Sequence, residues 1–310
     1  MRHLAILLAL FSQIAFGALG ELPGYKALQT QLGWTFTKSI ENFDDETFRV
    51  DFSNFGHLCD FKEHKFFVGA EYGFAPNLSF AAMANYIFNS SINSQTDGTL
   101  YLYGGGISDV LISGQYNITP TNPLLTAEAI LKIPTYGRTP KQNGDLVLGD
   151  GSFDIKALIH TGVSWGPLVA VGTPGFVGRF GGYAPAFVLE TDIRARNHVG
   201  YIGVFTNLYY SISDEKGNDS TLKIHDAPGS GGSYMRLAGG PTYFTMGGRV
   251  AGFLNRTLGL EASFEKATWG FRAGNFFKFQ LTLFNLFDFY EPPKSKKIKN
   301  VPFDPKGDSQ

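Results

Sequence analysis

Apolar and polar residues alternate with a period of two along most of the chain, in stretches that end at Gly, Pro, Asn or Asp. In residues 66–74, Phe, Val, Ala and Tyr side chains share one face, while Gly and Glu share the other. The same alternation recurs at 78–88, 110–118, 125–133 and 153–163. This period is typical of half-buried β-strands, whereas the 3.6-residue period of amphipathic helices is scarce.

Further segments with this pattern bring the number of predicted strands to eleven. They lie at 27–38, 175–188, 197–213, 232–245, 256–266 and 274–287. Residues 48–52 are a candidate for a twelfth strand, and Asp97-Gly98 is a strong hairpin signal. We therefore predict an all-β fold without internal repeats or an interdomain linker.

The composition of the two strand faces separates a soluble β-sandwich or barrel from a transmembrane β-barrel. A soluble sandwich presents a charged face to water, but charged residues are only 17% of this chain and the non-apolar face carries mainly Gly, Ser and Thr. Aromatic residues, 15% of the chain, concentrate near strand ends, as in the girdles of outer-membrane barrels. The sequence therefore predicts a transmembrane antiparallel β-barrel of about twelve strands in the bacterial outer membrane.

The connections between strands also alternate in length. They are short at 75–77 and 119–123, and long at 38–63, 89–105 and 135–150. Short periplasmic turns and longer outer loops are the usual asymmetry of such barrels.

The start of the chain has the organisation of a secretory signal peptide. A basic start is followed by the apolar stretch Leu4–Phe16 and by small residues, and cleavage after Gly17 or Gly20 fits equally well. The apolar stretch is shorter than the ~20 residues that a membrane-spanning helix needs. We predict three regions, namely a signal peptide at 1–20, the barrel at 21–290 and a flexible polar tail at 291–310.

Charge and cysteine content limit the classes of partner. Lys and Arg (26) balance Asp and Glu (27), so the chain lacks the excess positive charge of nucleic-acid-binding proteins. The single Cys59 excludes an internal disulfide. The expected partners are outer-membrane lipid and lipopolysaccharide, a small-molecule solute and the barrel-assembly machinery, with no nucleic acid.

Charged residues on the non-apolar strand faces are the candidates for a functional site. A Lys or Arg that faces lipid near the bilayer midplane costs about 2–4 kcal/mol, so we expect these residues to face the lumen. The candidates are Glu71, Asp109, Glu128, Lys132, Asp154, Lys156, His160, Arg179, Glu261, Glu265 and Lys278. Their mixed signs predict ion pairs, which either line a selective pore or fill the lumen by satisfying one another.

No enzyme chemistry, cofactor or metal site is predicted. The six His residues lack the spacing of a metal site, and no glycine-rich segment has the context of a phosphate loop. Folding could bring His160 to Ser113 or Ser164, but neither serine lies in a local signature of a hydrolase.

Three motifs in the middle of the chain follow one another in a characteristic order. Gly106–Asp109 has the pattern G-x-x-D, Lys132–Gly137 has K-[IVL]-P-T-x-G, and Gly149–Asp154 has G-x-G-x-x-D. This order resembles outer-membrane proteins assigned to the meta-degradation pathway of phenol, a branch of the FadL-like channels for hydrophobic compounds. The resemblance is clearest over residues 106–213. It implies a barrel of about a dozen strands that takes up small, often aromatic, molecules, although we find no N-terminal plug domain of the FadL kind.

The leading hypothesis is a passive channel or uptake route for small molecules, including hydrophobic or aromatic ones. The alternative is a barrel that conducts nothing and serves a structural or surface-interaction role. An outer-membrane hydrolase is the least favoured of the three.

Overall fold

The computed structural model describes residues 22–43, 49–51, 60–95, 98–119, 122–135, 151–181, 183–197, 199–212, 242–271 and 273–289. These residues form thirteen β-strands. The strands are β1 (Ala27–Phe43), β2 (Arg49–Asp51), β3 (Asp60–Ala75), β4 (Leu78–Gln95), β5 (Gly98–Thr119), β6 (Leu124–Pro134), β7 (Asp154–Trp165), β8 (Leu168–Arg179), β9 (Ala186–Arg196), β10 (Gly200–Ser211), β11 (Thr242–Phe253), β12 (Leu258–Phe271) and β13 (Ala273–Asp288). No helix in these ranges is long and apolar enough to cross a membrane.

Twelve of the strands form a closed antiparallel ring. β1 and β3 pair with each other, as do consecutive strands from β3 to β13. β13 pairs with β1 from Ala27↔Asp288 to Phe43↔Ala273, which closes the ring. β2 only extends the sheet at the far end of β1. Closure gives every barrel strand two neighbours and leaves no open sheet edge. The predicted all-β, antiparallel barrel of about twelve strands is confirmed.

The outer surface of the ring is apolar. Exposed and shielded residues alternate along the strands, and the exposed positions carry large apolar side chains such as Leu32, Val68 and Val204. A closed barrel with such a surface is suited to the hydrocarbon region of a bilayer. The end of the barrel where 76–77, 120–123 and 166–167 connect strands is called the short-turn end below. The opposite end, where 135–153 and 212–241 connect strands, is called the long-loop end.

The predicted strand at 175–188 is wrong, because two strands occupy this region. β8 ends at Arg179 and β9 begins at Ala186. The turn that starts β8 is Gly166-Pro167, where Gly166 has a φ of 59° and Trp165 pairs with Leu168. A glycine with positive φ at the first central position is what a type II′ hairpin turn requires. Splitting this region supplies the twelfth barrel strand.

Three other predictions change. The long connection at 89–105 is wrong, because β4 continues to Gln95 and β5 begins at Gly98. The candidate strand at 48–52 is the three-residue β2, which does not belong to the ring. Of the predicted strand at 232–245, residues 232–241 lie outside the described residues, and the described strand runs from Thr242 to Phe253.

The hydrogen-bond ladder between β7 and β8 has a gap. Its pairs pass from Leu158↔Gly175 directly to Thr161↔Gly172. Pro174 lies in this gap and has no backbone N–H to donate to the neighbouring strand. The adjacent side chains of His160 and Thr173 contact each other instead, as described below.

Glycines opposite interior aromatic side chains allow close packing inside the ring. Phe67 lies opposite Gly33, and Phe205 lies opposite Gly247. A Cβ atom at Gly33 would lie 2.0 Å from the ring of Phe67. Such aromatic–glycine pairs cover the bare backbone of the glycine strand.

Gly247→Ala is expected to destabilise the barrel by about 1–3 kcal/mol, because overpacking displaces neighbours. The added methyl would lie 2.2 Å from the backbone oxygen of Phe264 and 2.6 Å from the ring of Phe205. The matched control is Gly248→Ala on the opposite face, where the nearest atom would be 3.7 Å away. Urea unfolding of both variants in detergent tests this. Equal stability of the two variants would show that the close approach is absent.

Candidate functional site

The eleven charged candidates lie on the face of the sheet opposite the exposed apolar residues. Several of them contact residues two strands away, such as Lys156 on β7 with Glu190 on β9. Side chains of strands that are not neighbours approach each other most readily on the concave face of a ring. Each candidate also has a polar or ionic partner, and these contacts form separate groups along the interior wall.

The first group, the loop-end ion cluster, consists of Lys132, Asp154 and Arg179. These residues lie at the ends of β6, β7 and β8 that face the long loops. Lys132 Nζ is 2.7 Å from Asp154 Oδ2, and Arg179 Nε is 3.7 Å from Asp154 Oδ1. The guanidinium of Arg179 also lies 4.6 Å from the ring centre of Tyr183. One carboxylate thus ties together three strands at this end of the barrel.

The second group surrounds His160 at the gap in the β7–β8 ladder. His160 Nε2 is 2.9 Å from Glu128 Oε2, and His160 Nδ1 is 3.1 Å from Thr173 Oγ1. Gln115 donates to the other oxygen of Glu128 at 3.1 Å. The ring nitrogens therefore contact Glu128 and Thr173, and not Ser113 or Ser164, the serines that folding could have brought to His160. Although hydroxyl, imidazole and carboxylate lie in a row, Thr173 is only 2% exposed, so a substrate has no access to its hydroxyl.

The third group centres on Glu265 of β12. Its Oε1 accepts hydrogen bonds from Thr245 Oγ1 at 2.5 Å and from Asn207 Nδ2 at 2.9 Å. Its other oxygen pairs with Lys278, which lies opposite Glu265 in the β12–β13 register. Side chains from four consecutive strands, β10 to β13, therefore meet at the carboxylate of Glu265.

Two acidic candidates on the β3–β5 side bind neutral partners. Ser79 Oγ donates to Glu71 Oε1 at 2.6 Å. Asp109 Oδ2 accepts from Ser108 Oγ at 2.6 Å and from Asn85 Nδ2 at 3.2 Å. Each carboxylate is thus held in place by hydroxyl or amide donors of its own or the adjacent strand.

The two remaining candidates reach over an intervening strand. Lys156 Nζ lies 3.1 Å from Glu190 Oε1 across β8, and the hydroxyl of Tyr201 donates to Glu261 across β11. Such side chains cross the inner face of the strand between them, so they reduce the open width of the barrel interior.

The sequence interpretation missed an ion cluster on β9 and β11. Asp192 Oδ1 lies 2.6 Å from Arg194 Nε, and Asp192 Oδ2 lies 3.0 Å from Arg249 Nε. We call these three residues the β9 ion cluster. The two guanidinium groups stack on Tyr201 and Phe205 at 4.4 Å and 4.3 Å. Recognition of the Gly166-Pro167 turn would have extended the alternation through 186–196 and assigned Asp192 and Arg194 to the interior.

An apolar stripe runs along the interior wall beside these charges. Its centre is the buried cluster of Leu158, Val177, Ala186 and Val188, against which Tyr209 packs. Tyr209 stacks on Tyr243 with ring centres 5.3 Å apart, and Tyr243 contacts Phe276 edge-on at 5.9 Å. The stripe is defined by the residues Ile130, Leu158, Val177, Ala186, Val188, Tyr209, Tyr243 and Phe276.

The interior wall therefore combines compensated charges with an apolar stripe. Six interior cations each lie within 4 Å of a carboxylate oxygen, namely Lys132, Lys156, Arg179, Arg194, Arg249 and Lys278. Across the described part of the chain, no three His, Cys, Asp or Glu side chains are arranged to hold a metal ion. What this wall offers to a solute is contact with the half-buried members of the stripe, Ile130, Tyr209 and Tyr243, next to a nearly neutral polar surface.

No protein-family model matches the sequence, and no curated protein is similar to it. The fold is similar to that of the COG4313 outer membrane channel from Pseudomonas putida F1, with a TM-score of 0.64 and 11% identity over 87% of this chain and 98% of that chain. More distant is the translocator domain of the autotransporter NalP from Neisseria meningitidis, with a TM-score of 0.48 and 8% identity over 87% of this chain and 91% of that chain. A FadL homologue of Pseudomonas aeruginosa has a TM-score of 0.40 and 7% identity, over 90% of this chain and 98% of that chain.

The closed ring, its apolar outer surface and the shared barrel fold place this chain in the bacterial outer membrane. The likeness supports the barrel that the sequence motifs imply. Membership of the phenol-pathway family stays a prediction, because no family model matches.

Proposed function

We propose that the barrel is a passive outer-membrane channel for small, uncharged molecules with an apolar or aromatic part. The observation that carries the proposal is the apolar stripe on the interior wall. In a barrel that only spans the membrane, apolar residues are needed on the lipid face, and the interior can be entirely polar. Here Tyr209, Tyr243 and Phe276 form a continuous aromatic contact inside the ring.

Compensation of the interior charges supports an uncharged solute. A channel that selects ions presents a ring of charges of one sign. In this barrel Asp154 lies between cations of the two neighbouring strands, and Glu265 lies beside Lys278 of the next strand. Asp192 lies between Arg194 of its own strand and Arg249, which is two strands away. A charged solute gains little from such a wall, whereas an aromatic ring can contact the half-buried Tyr209 and Tyr243 of the stripe at the cost of only modest desolvation.

A second candidate function is a closed barrel with a structural or surface-interaction role. It is favoured by the close packing of the interior, where Leu158, Phe205 and Thr245 are almost fully buried. Planar-bilayer recording separates the two candidates, because a closed barrel produces no conductance steps. A channel produces small steps with weak discrimination between cations and anions.

Tyr209→Ala is expected to change permeation in two ways. Removal of a stacked aromatic ring weakens block of the ionic current by phenol about 2- to 10-fold, since such a contact is worth roughly 0.5–1.5 kcal/mol. The missing ring also widens the pathway, so the ionic conductance rises. Both effects are read from single-channel currents in planar bilayers with and without phenol.

The matched control is the next residue of the same strand. Tyr210 is exposed on the outer face, so Tyr210→Ala leaves the conductance and the block by phenol unchanged. Conductance steps from wild type that neither phenol nor Tyr209→Ala alters would rule out the stripe as a solute contact while keeping the channel. Absence of steps from wild type and from Tyr209→Ala would instead support the closed barrel.

A further inference from the structure

Lys65 of β3 differs from the six paired cations of the interior wall. It has the same parity as the interior Phe67, whereas Phe66 between them is exposed on the outer face. Within the part of the chain that the structure describes, its amine has neither a hydrogen bond nor a carboxylate within 4 Å. The residue is half-buried, and its amine is not one of the buried polar atoms without a partner. The amine is therefore open to the interior space of the barrel.

The other acidic residues of β1 and β3 lie too far along the strands to pair with Lys65. In the register, Lys65 lies opposite Thr35 of β1 and Ile87 of β4. The backbone of Glu41 is six residues beyond Thr35 on β1, and that of Asp60 is five residues before Lys65 on β3. At about 3.3 Å per residue, these separations are roughly 20 Å and 16 Å, more than a lysine and a carboxylate side chain span together.

Two carboxylates act on Lys65 from a greater distance, but their oxygens are engaged elsewhere. The charges of Asp109 and Glu265 attract the Lys65 amine, and the charge of Lys278 repels it. Asp109 and Glu265 are held by the donors described above. Because two cations and two anions balance around this position, an anionic solute gains little there. An ammonium group has three donors and no acceptor, so an uncharged solute oxygen can still accept a hydrogen bond from it.

Lys65 stands at the level of the aromatic part of the stripe. Counted from the end of each strand at the short turns, Lys65 lies ten residues along β3, Tyr243 ten along β11 and Tyr209 nine along β10. The carboxylate of Glu265 acts on the Lys65 amine and also on the Tyr243 hydroxyl, so both lie near the same part of the interior. β3 and β11 are four strands apart in the ring of twelve, so the two side chains approach this space from different sides.

We propose that Lys65 donates a hydrogen bond to the oxygen atom of the solute while Tyr209 and Tyr243 contact its ring. The inference rests on the proposed function and narrows the substrate class to uncharged aromatic molecules with a hydrogen-bond-accepting oxygen, such as alcohols, phenols and ketones. A hydrocarbon of the same shape contacts the tyrosines but offers the amine no acceptor. A hydrogen bond from a charged donor is stronger than one between neutral groups, so the amine distinguishes the two kinds of molecule.

The test measures block of the single-channel current in planar bilayers by phenol and by toluene, which has a methyl group in place of the hydroxyl. Lys65→Met keeps a long unbranched side chain but removes the donor. It is expected to weaken block by phenol about tenfold, the effect of losing a hydrogen bond to a charged group, and to leave block by toluene unchanged. Lys65→Arg keeps a charged donor and is expected to retain most of the block by phenol.

Tyr209→Ala is the comparison variant, because contact with the ring is common to both probes. It is expected to weaken block by phenol and by toluene alike. Benzoate is the third probe, and it is expected to block wild type no better than phenol, since Asp109 and Glu265 repel its carboxylate. Folding of every variant is verified by the shift in gel migration on boiling.

The inference is overturned if Lys65→Met leaves block by phenol unchanged or weakens block by toluene as much. It is also overturned if Lys65→Arg loses as much as Lys65→Met, or if benzoate blocks wild type far more strongly than phenol, since the amine would then take anions. Where Tyr209→Ala still weakens block by both uncharged probes, the first three of these results remove the role of Lys65 and leave the proposed channel in place. Wild type without conductance steps, or with steps that no probe alters, would instead remove the proposed function itself.

Discussion

Asp192→Asn is expected to lower the free energy of unfolding by about 3–5 kcal/mol, the penalty for breaking a buried ion pair from one side. Asp192 is the carboxylate between Arg194 and Arg249, and its side chain is 5% exposed. Without it, two guanidinium groups stay packed on Tyr201 and Phe205 inside the barrel with no compensating charge at this position. Urea titration of the refolded barrel in lipid, followed by gel migration of unheated samples, measures the change.

Glu190→Gln is the control for this substitution. Glu190 lies two residues away on the same strand and the same face, but its side chain is 45% exposed, and its ion pair within the described part of the chain is with Lys156. An ion pair so accessible to water contributes at most about 1 kcal/mol. If the Asn and Gln variants unfold at the same urea concentration, the β9 ion cluster is not the buried centre that the geometry indicates.

Val204→Lys is expected to destabilise the membrane-inserted barrel by about 2–4 kcal/mol, the depth-dependent penalty for a lysine on the lipid face. Val204 is 61% exposed on the outer face in the middle part of β10. Its amine would have to leave the hydrocarbon along a surface on which the described outward-facing side chains of β9, β10 and β11 include no carboxylate. The measurement is the folded fraction in bilayer vesicles as a function of urea.

Ile212→Lys places the same charge just beyond the long-loop end of β10, where the penalty falls to about 0–1 kcal/mol. Ile212 is also exposed, at 53%, so the two variants differ mainly in depth. Should both lysines be tolerated equally, Val204 would not face lipid, and the assignment of the apolar surface would be wrong.

Strand alternation predicts those parts of the ring where turns are short and each strand keeps one polar face. The segments at 78–88 and 125–133 lie within observed strands, because nothing in them interrupts the period of two. The prediction fails where Gly and Pro occur inside a strand. Thr173-Pro174-Gly175 is typical of a turn but lies in β8, and Gly166-Pro167 is the turn.

The candidate site shows the same division between local and long-range information. Parity along a strand assigns Glu128 and His160 to one face, but their mutual contact depends on the pairing of β6 with β7. The apolar stripe was not predictable, because Tyr209 and Tyr243 are separated by a long connection whose length hides the pairing of β10 with β11. An interior aromatic residue such as Tyr209 and a lipid-facing one such as Tyr210 occupy adjacent positions of the same alternation, so the sequence pattern does not say which of them faces the interior.

Closure of the ring by β13 and β1 has a consequence for the time course of assembly. Every other barrel seam joins strands that follow each other in the chain or, for β1 and β3, are separated only by the short β2, whereas this seam joins Ala27 to Asp288. Pairing between such distant segments carries the largest loop-closure entropy and is the slowest to form. The hairpins can therefore form as the chain is delivered. Until β13 pairs with β1, however, the barrel is an open sheet whose two edge strands have unpaired backbone N–H and C=O groups.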